Sequence, residues 1–147
     1  MRHNNYLQAK WRAGLFLGID SICFGDGSVV VANCYKIDGK PYWYPLCDTT
    51  IESLEKYEND LWVHIDIFHG ALSDRDETIV FGSGSMGNEG FVASTDRQGA
   101  LLWGIFFTFS NPIVHAEIHG NILTCTTELD SKIVILRDNL TKIEILQ

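Results

Sequence analysis

Short hydrophobic runs, each ended by a polar turn, recur along most of this chain. The clearest case runs from Gly90 to Phe107, where two apolar stretches flank the polar segment Asp96–Gly99. Aspartate hydrogen-bonds to the backbone that follows it, and glycine tolerates a positive φ, so this segment predicts a tight turn. The pattern therefore predicts an antiparallel hairpin as the organising element, with weaker copies of the same unit on both sides.

These copies predict a single all-β domain made of three repeats. Asp48, Asp96 and Asp138 each separate two predicted strands, at intervals of about 45 residues, which is typical of repeats of four short strands. Residues 63–70 also resemble residues 114–120 with one residue deleted. The predicted parts are an N-terminal arm at 1–12, which is a short helix or a loose segment, and repeats at approximately 13–60, 61–110 and 111–147.

The turn of the central hairpin carries a family resemblance. Asp96-x-x-Gly99-x-x-x-Trp103 resembles the turn of quinoprotein-type β-propeller blades. The resemblance implies three consecutive antiparallel sheets of about four short strands each. Because closed propellers have about four to eight blades, three blades imply an open fan, a prism-like arrangement or half of a dimeric ring. A β-sandwich is the alternative.

Composition and cysteine placement favour a folded protein of the cytoplasm. Hydrophobic residues make up 46% of the 147 positions, which is enough for one core. Cys23, Cys34 and Cys125 lie in apolar runs, so we expect them to be buried free thiols in a reducing cytosol, and Cys47 lies close to a turn. A secreted framework with two disulfides is the alternative, but residues 1–12 lack the apolar core of a signal peptide.

Charge narrows the expected partners. The formal net charge of −8 repels phosphate backbones, which disfavours direct nucleic-acid binding, and attracts basic proteins. No apolar run is long enough to cross a membrane. Two acidic runs would form a patch if they met on one face; otherwise they are solvated loops. They are Glu52, Glu55, Glu58 and Asp60, and Asp74, Asp76 and Glu77.

An aromatic segment is the second candidate for contact with a partner. Tyr42, Trp43 and Tyr44 lie between Pro41 and Pro45. Proline in a strand is typical of a sheet edge, and exposed tyrosine and tryptophan are favoured anchors of protein interfaces. Packing of these half-buried rings under a neighbouring loop is an equally good interpretation.

Two further motifs contain residue types suited to chemistry, and neither gives a catalytic assignment or a cofactor. Residues 82–87 satisfy G-x-G-x-x-G, but a predicted strand follows where a dinucleotide site needs a helix. His64 with Asp66 and His115 with Glu117 have the i, i+2 spacing that places two side chains on one face of a strand. We favour repeated structural pairs flanking a core. A weaker alternative is a metal site formed by His64, His69, His115 and His119.

A small, acidic, strand-rich protein of this kind resembles, in overall format, the bacterial immunity proteins of contact-dependent growth inhibition systems. The resemblance implies a non-catalytic inhibitor that blocks the active site of a basic toxin, expected to be a nuclease. Alternatives are a blade-repeat scaffold or oligomer subunit, including a homodimer, and an enzyme built on the histidine–carboxylate pairs. The residues predicted to bind the partner are Tyr42, Trp43, Tyr44, Glu52, Glu55, Glu58, Asp60, Asp74, Asp76 and Glu77.

Overall fold

Within residues 2–147, which a computed structural model describes, two short helices accompany a fold made mainly of antiparallel strands. Met1 of the predicted arm lies outside these residues. The helices are α1, Asn5–Arg12, and α2, Ile51–Tyr57. Each begins at a side-chain cap, because Asn4 accepts a hydrogen bond from the Leu7 amide and Thr50 accepts one from the Ser53 amide.

The largest sheet has eight strands. Its spatial order is β4-β3-β2-β10-β9-β8-β6, and β7 also pairs with β8. The strands are β2, Ser21–Phe24; β3, Ser28–Ile37; β4, Lys40–Thr50; β6, Asp66–Ile67; β7, Leu72–Asp74; β8, Glu77–Ser83; β9, Gly90–Thr95; and β10, Leu101–Phe107.

Two smaller sheets complete the fold. One pairs β1, Leu15–Leu17, with β5, Trp62–His64. The other has the order β11-β12-β13-β14, and its strands are β11, Ile113–His119; β12, Ile122–Thr127; β13, Lys132–Leu136; and β14, Asn139–Leu146.

The all-β class and the antiparallel pairing are thereby confirmed, and the four-stranded sheet coincides with the predicted repeat 111–147. The first two predicted repeats do not form two separate sheets, as blades would. Their strands share the eight-stranded sheet, because β2 of the first pairs with β10 of the second, with Ile22 opposite Ile105.

Both faces of the central part of the eight-stranded sheet are buried. One face packs on the four-stranded sheet, with Phe81 and Phe107 in one core with Leu123 and Ile133. The opposite face packs under the helices and the small sheet, where Phe91 and Phe106 join a second core with Leu7, Phe16 and Ile51. The side chains alternate between these two cores along β2, β8 and β9, as the pleat requires.

The central hairpin forms as predicted. Strands β9 and β10 pair from Gly90 opposite Phe107 to Thr95 opposite Leu101. At the turn, one carboxylate oxygen of Asp96 accepts hydrogen bonds from the amides of Gln98 and Ala100, both at 2.9 Å. Gly99 has a φ of 82°, a conformation that glycine adopts without strain. The hairpin lies in the middle of the sheet, next to β2 and β8.

Candidate protein-binding surface

The β3–β4 hairpin carries most of the exposed aromatic surface among the predicted site residues. Its turn is Asp38-Gly39, with φ values of 51° and 79°, and Ile37 pairs with Lys40 across it. A two-residue turn with two positive φ values fixes the register of the strands that it joins. The register places Tyr35 opposite Tyr42 and Asn33 opposite Tyr44.

The outer face of this hairpin is aromatic and uncovered. Tyr35, Tyr42 and Tyr44 are 38%, 39% and 56% exposed, and Tyr35 stacks on Tyr42 with ring centroids 5.8 Å apart. Ile37 and Leu46 are exposed by more than half. We call these five residues the tyrosine face. Contiguous exposed apolar residues of this kind are typical of interaction sites.

Trp43 departs from the exposed ribbon that the sequence predicted. It is 7% exposed, because it points to the opposite face of the strand from Tyr42 and Tyr44, and its ring packs against Phe107 at 5.0 Å. Its indole nitrogen has no hydrogen-bond partner within residues 2–147. Trp43 therefore anchors the hairpin to the core, and only its two neighbours remain accessible to a partner.

The free edge of β4 is poorly suited to the addition of another strand. β4 is the terminal strand of the eight-stranded sheet. In a hairpin with this turn, the residues of the pairs Ile37–Lys40 and Tyr35–Tyr42 exchange backbone hydrogen bonds with each other. The backbone nitrogens of the alternate residues of β4, which are Pro41, Trp43 and Pro45, therefore point to the free edge. Proline has no N–H, so two of these three positions cannot donate a hydrogen bond to an added strand. A partner is therefore expected to use the face of the hairpin.

The first acidic run lies on and just after α2, which follows β4 directly. Glu52, Glu55, Glu58 and Asp60 are all exposed. Two of them also make contacts within the chain. Glu52 accepts a hydrogen bond from Asn4, and Glu55 accepts hydrogen bonds from the Tyr6 hydroxyl at 2.6 Å and the Trp62 indole at 3.2 Å. These contacts tie α2 to α1 and to β5.

The second acidic run lies at the other edge of the sheet, so the two runs do not converge. Asp74, Asp76 and Glu77 belong to the β7–β8 hairpin. Basic side chains neutralise all three: Arg137 pairs with Asp74 and Glu77, and Arg97 pairs with Asp76. This run is therefore a less favourable contact for a basic partner than the run on α2.

The histidine–carboxylate pairs differ from each other. His115 and His119 lie 3.2 Å and 3.3 Å from the two oxygens of Glu117, on the exposed side of edge strand β11. Hydrogen bonds, first from His115 and then from His119, lower the pKa of Glu117. His64 and Asp66 fall in separate short strands and are both exposed, so the two motifs do not form the repeated structural pair that the sequence predicted. Within residues 2–147, no group of three or more His, Cys, Asp and Glu residues is placed to hold a metal ion.

The glycine motif is a strand and a turn. Gly82 lies in β8, and Met86 begins a turn in which its amide donates to the carboxylate of Glu89 at 3.0 Å. Strand β9 follows, as predicted, where a dinucleotide site would need a helix. Gly82 is required by packing, because the Asp66 carbonyl oxygen occupies the space that a Cβ would need.

The cysteines are free thiols with different environments. Cys23 and Cys125 are buried, as predicted, and burial raises the pKa of each thiol to about 12. Cys34 is half-buried instead of fully buried, and Cys47 is exposed.

Neither helix among residues 2–147 has the length and apolar character needed to cross a membrane. No protein-family model, curated protein or solved structure matches this chain.

Sequence reasoning missed Tyr35, Ile37 and Leu46 as members of the tyrosine face. The Asp38-Gly39 turn was recognisable, and a two-residue turn places Tyr35 opposite Tyr42. Leu46 gave no such signal. It is the extra residue of a bulge, where the pairing shifts from Val31–Cys47 to Ala32–Pro45.

Proposed function

We propose that this protein is a non-catalytic inhibitor that binds a basic protein and covers its active site, acting in the cytoplasm. The observation that carries the proposal is the tyrosine face, which is exposed although both faces of the central part of the same sheet are covered. Tyrosine presents a large contact area at a low cost in conformational entropy, which suits an interface anchor.

The acidic run on α2 supports a basic partner. Helix α2 packs through Ile51 and Leu54 on the core beneath the helices, which is the side of the eight-stranded sheet that also bears Val29 and Val31 of β3. By alternation along β3, Tyr35 lies on this same side. A partner seated on the tyrosine face would therefore lie on the same side of the sheet as the four carboxylates of α2 and the segment after it. Such charges increase the rate of association and weaken in high salt.

A nuclease toxin is the partner class that we propose, because surfaces that bind nucleic acid are basic and an acidic protein can occlude them. The immunity-protein format and the net charge of −8 support this assignment. The prolines at the free edge of β4 favour docking on the face of the sheet over the addition of a strand.

The test is capture of a partner by the purified protein from the native organism, or with the product of the adjacent reading frame, at low and then at high salt. We expect a single basic protein. Replacing Tyr42 and Tyr44 together with serine should weaken its binding at least about tenfold, since interface tyrosines commonly act as hot spots. Met86→Ser is the matched control, because Met86 is 63% exposed on the loop between β8 and β9.

Two outcomes would contradict the proposal. One is the absence of any captured basic protein under both conditions. The other is an equal loss of binding in the tyrosine variant and in Met86→Ser.

A self-associating scaffold is the second candidate, since the same uncovered face could pair with its copy. Light scattering separates the two candidates. A mass that doubles with concentration in the unmodified protein, and stays that of one chain in the Tyr42→Ser, Tyr44→Ser variant, would favour self-assembly.

A further inference from the structure

A cavity of about 570 Å³ opens between the eight-stranded and four-stranded sheets. Cys34, Lys36 and Phe107 line it from the eight-stranded sheet, and Ile133 and Ile145 line it from the four-stranded sheet. It lies on the opposite face of the β3–β4 hairpin from the tyrosine face. Its volume is in the range of small-molecule sites, which are mostly apolar with a few placed polar groups.

The walls of the cavity combine apolar side chains with polar ones, among them Asn88, Ser110 and Ser131, and two large hydrophobic side chains mark its rim. Phe107 and Ile133 are buried, whereas Phe109 and Leu129 are each 73% exposed at the opening. Exposed residues of this size beside a cavity are what an apolar ligand would cover.

Among residues 2–147, two charged side chains line the cavity, those of Asp20 and Lys36, and only Lys36 lacks a partner. Both oxygens of Asp20 accept hydrogen bonds from Thr108, one from its amide at 2.7 Å and one from its hydroxyl at 3.0 Å. Burial raises the pKa of Asp20, so its surroundings disfavour the charged carboxylate. The ammonium group of Lys36 has no ion-pair partner within the described chain, residues 2–147.

A cavity with apolar side chains such as Phe107 and Ile133, several polar groups and one unpaired ammonium group complements an anion that carries a hydrocarbon body. We propose that this cavity binds a small amphipathic carboxylate, with its hydrocarbon part between Phe107 and Ile133 and its carboxylate at Lys36. A charge-assisted hydrogen bond to the ammonium group would orient the ligand, and burial of the hydrocarbon would supply affinity. This site is separate from the proposed contact with a protein partner.

The experiment is a titration of the uniformly ¹⁵N-labelled protein with octanoate, followed by amide shifts. We expect saturable binding of one molecule, with the largest shifts at residues around the cavity. Octanol and octylamine, which carry neutral and positive head groups on the same chain, should bind more weakly. Lys36→Gln should weaken octanoate binding at least about tenfold while leaving octanol unaffected.

Lys40→Gln is the matched control. Lys40 lies on the tyrosine face of the same hairpin, with its ammonium group 5.9 Å from the ring centre of Tyr42. This variant should bind octanoate like the unmodified protein.

A second readout uses the thiol of Cys34, which lines the cavity. In a Cys47→Ser background, which removes the exposed thiol, bound octanoate should slow the modification of Cys34. The proposal would be overturned if the amide shifts caused by octanoate were spread over the whole protein or did not saturate. So would tighter binding of octylamine, or octanoate binding that is unchanged in Lys36→Gln.

Discussion

Gln8 of α1 pairs with the backbone of Leu101 as a neighbouring strand would. Its side-chain nitrogen donates to the Leu101 carbonyl at 2.9 Å, and its side-chain oxygen accepts from the Leu101 amide at 2.8 Å. Both residues are buried. Leu101 lies at a register shift in β10, so Gln8 satisfies backbone groups at the point where the pairing with β9 becomes irregular.

Gln8→Met should therefore lower the free energy of unfolding by about 2–4 kcal/mol, because it leaves a buried N–H and a buried carbonyl unpaired. Urea unfolding followed by circular dichroism measures the change. Gln98→Met, at an exposed position of the central turn, should change it by less than about 0.5 kcal/mol. A loss below about 1 kcal/mol in Gln8→Met would contradict this role of Gln8.

Arg137→Met should destabilise the contact between the eight-stranded sheet and the four-stranded sheet. The Arg137 side chain is 15% exposed and donates to Asp74 and, at 3.2 Å, to Glu77. The carboxylates are about one-third exposed, so screening limits the expected loss to about 1–2 kcal/mol in urea unfolding. Arg97→Met is the control: Arg97 and Asp76 are 74% and 73% exposed, and the loss should stay below about 0.5 kcal/mol. Equal losses in the two variants would show that burial adds nothing to the Arg137 contacts.

Gly82→Ala should cost about 1–3 kcal/mol of stability through overpacking. Its Cβ would overlap the Asp66 carbonyl oxygen and lie 3.1 Å from the Phe91 ring, which forces β6 away from β8. Gly87→Ala, five residues later, meets no atom within 4 Å and should be neutral or slightly stabilising. Thermal unfolding of the two variants measures the contrast. Similar midpoints would mean that Gly82 is not held in this close contact.

Asp20 should give stability a pH dependence that Asp20→Asn lacks. Burial raises the native pKa of Asp20 above its unfolded value, against the opposing hydrogen bonds from Thr108. The native state therefore holds the proton more tightly, and the contribution of Asp20 to stability falls as pH rises from its unfolded pKa, about 3.9, through its raised native pKa. Urea unfolding across this window should show the unmodified protein losing stability relative to Asp20→Asn. A constant difference, or a difference that changes in the opposite direction, would contradict the raised pKa.

The central hairpin and the tyrosine face show how much of this structure the sequence could predict. The turn at Asp96–Gly99 depends on adjacent residues, so its aspartate and glycine were sufficient to place it between β9 and β10. The alternation at Tyr42, Trp43 and Tyr44 required that Trp43 lie on the face opposite to the tyrosines. This alternation does not show which of the two faces is covered, because the covering strands β13 and β14 are distant from β4 in the sequence.

The two acidic runs also show that the sequence does not reveal how distant segments are placed relative to each other. Their charges and their positions in the chain follow from the sequence, and Glu52 and Glu55 are exposed in the structure. Whether the two runs share one face depends on the order of the strands in the sheet, which the sequence did not show. That order places α2 after one edge strand and the β7–β8 hairpin at the other edge.

The sequence by itself determined the all-β class, the central hairpin and its turn, the strand that follows the glycine motif, and the acidic character. Each depends on periodicity or on turn chemistry within a few residues. Only the tertiary structure decided that the first two predicted repeats share a sheet, that Gln8 completes β10, and that Arg137 neutralises Asp74 and Glu77. These contacts join residues more than sixty positions apart or on separate sheets. Local alternation shows which side chains point the same way, but the packing of distant segments selects the partner that each face meets.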